Sequence, residues 1–152
     1  MARLRAFAAV CVALAPVLAQ AQAQRSADFR AVAEPAAILY DAPTLRGKKL
    51  FVAPRGMPVE VVVTIEGWFK VRDRAGDMAW VERKALTDRR TVVSMAAAHV
   101  REQPADDARI VLEVGADVVL EVAEPAAPAG WVRVRHREGA AGFVRAAQVW
   151  GI

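Results

Sequence analysis

The chain is poor in the side chains from which most catalytic sites are built. Among its 152 residues there is one cysteine, two histidines and one tyrosine. Cys11 lies inside an apolar stretch near the N-terminus, so the rest of the chain can form no disulfide and must be held by hydrophobic packing. Serine is confined to Ser26 and Ser94, neither in the strand–turn–helix setting of an activated nucleophile. His99 and His136 have no partner at metal-ligand spacing, which argues against zinc. Asp41 and the pair Asp106-Asp107 read as turn and loop residues rather than as an acid–base couple. No catalytic group, metal or cofactor is therefore expected, and the chain reads as something other than an enzyme.

Long hydrophobic runs are also missing. The longest, residues 6–18, has about 13 positions and is interrupted by Pro16, whereas a membrane-spanning helix needs roughly 20. Arg3 and Arg5 precede this stretch, and Ala19-Gln20-Ala21 and Ala21-Gln22-Ala23 follow it as overlapping small-residue cleavage signals. A basic start, a short apolar core and small residues at the cut make residues 1–23 a secretory signal peptide. Cys11 sits too early in the run for a lipoprotein signal. Its removal takes two arginines, leaving 19 basic against 17 acidic residues and a formal charge of only +2. The expectation is a periplasmic or secreted protein with no membrane span after cleavage and no nucleic-acid partner.

What the chain does contain is a repeat. Gly67-Trp68-Phe69-Lys70-Val71-Arg72 returns 63 positions later as Gly130-Trp131-Val132-Arg133-Val134-Arg135. The match runs on without a gap: Gly76 onto Gly139, Trp80-Val81 onto Phe143-Val144, and Leu86 onto Val149. Upstream, Gly56 and its following strand match Gly115 at 59, and residues 38–43 match 99–104 at 61. The offset changes where Ala, Glu and Pro accumulate before Gly130. Length changes confined to loops indicate one fold used twice.

Both copies read as β throughout. Residues 59–63 and 118–122 are β-branched runs bounded by turn residues. In the next strand Phe69 and Val71 fall on one side and Trp68, Lys70 and Arg72 on the other, the alternation of a strand with one buried face. Gly76 and Gly139 occupy hairpin turns that favour a positive φ. Short, closely spaced strands predict an all-β chain of two small barrels, over 28–88 and 94–152, joined by a short connector at 87–94. Barrels of this size are marginal alone and are expected to pack together.

The pattern resembles the bacterial SH3 domain family. Pro43, Gly56, Gly67, Trp68, Lys70, Val71, Trp80, Val81 and Leu86 carry the resemblance in the first copy. Pro104, Gly115, Gly130, Trp131, Arg133, Val134, Gly142, Phe143, Val144 and Val149 carry it in the second. The first copy departs from the family at its entry, Leu39-Tyr40-Asp41-Ala42-Pro43, and has Ala79 where the second keeps Gly142. The layout is similar to that of exported proteobacterial SH3-like proteins, which implies a binding or scaffolding task in the periplasm. Peptidoglycan is the first ligand class that the resemblance implies. The alternative is an adaptor that docks an envelope protein through a sheet edge or the groove between barrels.

The candidate ligand-binding residues follow from the repeated strand. Trp68, Lys70 and Arg72, with Trp131, Arg133 and Arg135, set an indole and two cations along one face, suited to stacking sugars or holding anions. The plainer outcome, commoner for such stripes, is that Lys and Arg stems merely cover a tryptophan. Tyr40 joins the candidates because Leu39-Tyr40-Asp41 resembles the aromatic strip of eukaryotic SH3 domains. With one tyrosine in the chain, a polyproline groove of that kind cannot be assembled. Trp80 and Phe143 read as core or barrel-end residues.

Overall fold

The computed structural model describes residues 27–33, 35–124 and 127–152. The segment read as a signal peptide, residues 1–23, lies outside the described residues, as do two positions of the extra loop before Gly130. The first seven strands are β1 (Asp28–Val32), β2 (Ala36–Tyr40), β3 (Lys49–Pro54), β4 (Pro58–Ile65), β5 (Trp68–Arg72), β6 (Met78–Glu82) and β7 (Leu86–Thr87). The second seven are β8 (Thr91–Ser94), β9 (Ala98–Arg101), β10 (Ile110–Val114), β11 (Val119–Glu124), β12 (Trp131–Arg135), β13 (Ala141–Arg145) and β14 (Val149–Trp150). They form two antiparallel sheets with the same topology, β3-β2-β6-β5-β4-β1-β7 and β10-β9-β13-β12-β11-β8-β14.

Each sheet has to curl. Only residues 55–57 separate β3 from β4, yet the two strands stand four places apart in the sheet order. A single 3₁₀ turn, Arg83–Ala85, carries β6 across to β7 at the far edge. Both connections require the sheet to roll into a barrel around its own core. The stretch expected as a connector over 87–94 is mostly structure: Thr91–Ser94 is β8, the strand that pairs with β11 and β14. Its β-branched Thr91-Val92-Val93 sequence explains why. Between β7 and β8 only residues 88–90 remain as linker.

The interiors are narrow. The first core is built from Val32, Ala37, Leu39, Ala53, Val59, Phe69, Val71, Ala79, Val81 and Ala85. The second has Val92, Ala98, Val100, Val114, Leu120, Val132, Val134, Val144 and Val149. Each buried valine contributes about 1.5 kcal/mol or more of transfer free energy, and in the absence of disulfides this term holds the barrels together. Space is tightest in the second barrel, where a Cβ at Gly142 would collide with the carbonyl oxygen of Arg101 and lie 2.9 Å from Val100 Cγ1. Alanine fits the matching position, Ala79, in the first barrel. Ser94 is buried as a clasp: its Oγ donates to Gly115 O at 2.6 Å and accepts from Val118 N at 2.9 Å.

The barrels dock through residues from both ends of the repeat. Phe29 of β1 meets Trp150 of β14 edge to face, ring centres 5.0 Å apart. Thr91 Oγ1 donates to Gly56 O at 2.7 Å. Arg74, in the β5–β6 turn, pairs with Asp117 of the second barrel at 2.5 Å. Gly151, at φ +117, lets the last residues pass close to Thr91 O and Pro58.

Phe29→Ala removes the aromatic contact of this junction and is expected to cost about 3 kcal/mol, with thermal unfolding separating into two steps. Differential scanning calorimetry checks it. A single transition at the original temperature would show that the barrels do not depend on this contact.

Candidate functional site

The outer surface of the first barrel carries a cluster of aromatic side chains, and strand register explains how it is assembled. In β6 the inward residues are Ala79 and Val81, which turns Trp80 outward. Tyr40 is the register partner of Trp80 on one side and Lys70 on the other. Lys70 in turn faces Val63 across β4–β5, and Trp68 faces Ile65. A row Tyr40–Trp80–Lys70–Val63 thus crosses four strands, with Trp68 and Ile65 beside it.

Side-chain contacts knit this row together. Tyr40 is only 5% exposed and stands edge-on to Trp68, with ring centres 5.6 Å apart. The Lys70 ammonium lies 5.9 Å from the Trp80 ring centre, within cation–π range. Both indoles are half-buried, while Val63 and Ile65 are 41% and 38% exposed. Val52, the neighbour of Ile38 on the outer side of β3, is 60% exposed. The result is a largely apolar face with the Lys70 ammonium on it and the Glu82–Lys84 ion pair beside Trp68.

The same positions in the second barrel are different in kind. The row there is Arg101–Phe143–Arg133–Glu124. Ile38 and Val52 are replaced by His99 and Glu113, whose side chains approach to 3.7 Å. Glu82, opposite Trp68, is replaced by Arg145 opposite Trp131. The Arg145 guanidinium lies 4.3 Å from the Trp131 ring centre and is held by Asp106, its Nε donating at 3.0 Å. Arg101 Nη1 donates to Ala108 O at 2.7 Å, and Arg133 sits over Phe143 at 5.9 Å. This face is charged and internally paired.

The candidates read from the sequence therefore divide. Tyr40, Trp68 and Lys70 come together, but Tyr40 is a buried support for Trp68 rather than a surface contact. Trp131 is only 8% exposed beneath Arg145, the plainer outcome of a tryptophan covered by a basic side chain. Arg72 is committed to its cross-strand partner Glu60, with Nε donating at 2.9 Å. Arg133 covers Phe143, and Arg135 leaves the strip for the cleft between the barrels. Trp80 was missed as a site residue, although the alternation Met78-Ala79-Trp80-Val81-Glu82 carries the signal. Val63 and Ile65 were hidden by a bulge. The register slips between Val61 and Val63, so residues after Val62 change sides.

His136 lies in the β12–β13 turn with Nδ1 3.8 Å from Glu138. Among the described residues no three histidine, cysteine or acidic side chains gather as metal ligands. No helix among them is long and apolar enough to cross a membrane.

The bacterial SH3 domain model matches residues 33–88 and again 95–151. The chain belongs to the bacterial SH3 domain family. Both barrels are copies of this binding domain. No curated protein matches the chain. Among solved structures, this tandem SH3 chain is similar to NlpC2 from Trichomonas vaginalis, at 15% identity and a TM-score of 0.38, covering 84% of this chain and 49% of that one. NlpC1 from the same organism is similar at 14% identity and a TM-score of 0.39, over 92% of this chain and 51% of that one. The tandem thus spans about half the length of those chains.

The clamp on Trp131 is expected to respond to pH. The hydrogen-bonded Arg145 guanidinium holds the Asp106 carboxyl below the ordinary aspartate value of 3.8. A lowered value means that the pairing contributes fully above the ordinary value and is lost as pH falls through the lowered one. Asp106→Asn should free Trp131 at every pH while moving the melting temperature by no more than about 2 °C. Acid titration followed by near-ultraviolet circular dichroism checks this: the native chain shows a tryptophan step that the variant lacks. Identical curves would show that Asp106 does not hold Arg145 over the indole.

Proposed function

We propose that this bacterial SH3 tandem is an exported, non-catalytic module that binds cell-wall peptidoglycan through the outer face of its first barrel. The observation that carries the reading is the contrast between copies. On one fold, Trp80, Lys70 and Val63, backed by Tyr40, make a largely apolar face where the second barrel has Phe143 beneath Arg133 and beside Arg101. Two half-exposed indoles offer flat surfaces to the C–H faces of sugar rings, and Lys70 offers one charge to a carboxylate. A glycan strand with carboxylate-bearing substituents has both features. The face holds no nucleophile with an adjacent base, which accords with binding without turnover. Export rests on the signal pattern of residues 1–23, and the proposed location is the periplasm or the exterior.

A second reading has its own support. β3 is bonded on one side only, and Leu45, Leu50 and Val52 around it are exposed. An envelope protein could add a strand at this edge, making the chain an adaptor.

Co-sedimentation of the purified protein with isolated sacculi tests the first reading. Saturable pelleting should persist at about 0.3 M salt, where surface charge is strongly screened. The double variant Trp68→Ala, Trp80→Ala should weaken it about tenfold, with the barrels still folded. Undiminished retention of that variant would remove the aromatic face as the wall site. No pelleting at all would favour the adaptor.

A further inference from the structure

Between the barrels lies a cleft of about 810 Å³, separate from the aromatic face. Arg55, at the β3–β4 turn of the first barrel, lines one side of it. Arg135, at the end of β12, and Arg137, in the β12–β13 turn, line it from the second barrel. The turns that carry these residues are fixed by backbone hydrogen bonds. Arg55 N donates to Pro35 O at 3.2 Å, and His136 N donates to Ala140 O at 2.7 Å. Gly56, at φ +80, sets the first of them.

Charge in this cleft is unbalanced. Its walls hold four arginines against two carboxylates, Asp117 and Glu121. Asp117 is engaged by Arg74 at 2.5 Å, and Glu121 by Arg89 at 3.7 Å, although Glu121 is also the register partner of Arg135. Arg55, Arg135 and Arg137 have no ion-pair partner among the described residues. Three like charges brought into one concavity from two domains repel each other unless an anion occupies it. The apolar part of the wall, including Val118 and Val119, adds a surface that a bare inorganic ion does not need. The volume is also several times that of one phosphate, given that about 30 Å³ holds a water molecule.

We propose that this cleft binds an extended acidic peptide, its carboxylates held by Arg55 from one barrel and by Arg135 and Arg137 from the other. Guanidinium forks suit carboxylates, and the valines receive the intervening chain. The site exists only when both barrels are docked, which gives their junction a purpose that neither copy has alone. It does not depend on what the aromatic face binds.

The test is fluorescence anisotropy of a labelled pentaglutamate peptide titrated with the purified protein. Saturable binding is expected, weakened about tenfold or more by Arg135→Gln with Arg137→Gln. Arg46→Gln with Lys48→Gln removes the same charge from the exposed β2–β3 hairpin and should change the affinity less than twofold. Trp68→Ala should leave it unchanged, which keeps this result distinct from that of the sacculus experiment. Equal losses in the two charge variants would reduce the effect to non-specific attraction and overturn the proposal. So would an absence of saturable binding, or tripolyphosphate that binds the cleft more tightly than the peptide does. Thermal melts of both variants confirm that the barrels remain folded.

Discussion

The width of the barrel interior governs this molecule. A seven-stranded sheet rolled around a core of valine, alanine and one leucine leaves room for one fully enclosed phenylalanine, Phe69, and for no indole. Each of the four tryptophans is therefore excluded from the two cores. Trp150 is covered in part by the other barrel, through Phe29. Trp131 is covered by Arg145, which Asp106 holds in place. Trp68 and Trp80 are covered only in part, by each other's neighbourhood and by Tyr40 and Lys70. Function on this fold is decided by what is laid over an indole that cannot go inside.

This also explains how far the sequence could be read. The repeat, the β class and the alternation of β5 and β12 were legible, because a strand with one buried face has a period of two and nothing else in the chain competes with it. The family followed from the Gly-Trp of both copies and from Trp80-Val81 and Gly142-Phe143-Val144 at matching spacing, which the family match bears out. Less was legible of the site. Alternation places Trp80 outside as surely as it places Trp68, but its equivalence to Phe143 suggested a core position. Val63 and Ile65 could not be placed, because the bulge at Val62 reverses the phase and no glycine marks it. That a basic side chain covers Trp131 was the plainer reading of the stripe, but which one was not legible, because Arg145 is held over the ring by Asp106, a loop residue distant in sequence.

Duplication leaves one copy under lighter constraint. Here both copies keep small apolar interiors, with the residues exchanged at many positions such as Phe69 for Val132 and Leu39 for Val100, and differ in kind on the outside. The second barrel satisfies its outer face internally, with guanidiniums over rings and carboxylates beside them. A face paired with itself has little left for a ligand and resists sticking to others. The first barrel retains apolar area that water covers poorly. Such area is a liability in a monomer unless something binds there.

Phe29 and Trp150 stand near opposite ends of the described chain, yet their rings touch. Bringing such distant segments together has a high entropic cost in an open chain. It becomes cheap only after each barrel has formed from its own local hairpins. The ring pair is thus a contact of the last stage of folding, made between two finished pieces. Until it closes, the tandem behaves as beads on a three-residue string, residues 88–90. Afterwards the barrels share one fate, and the concavity between them acquires a fixed width.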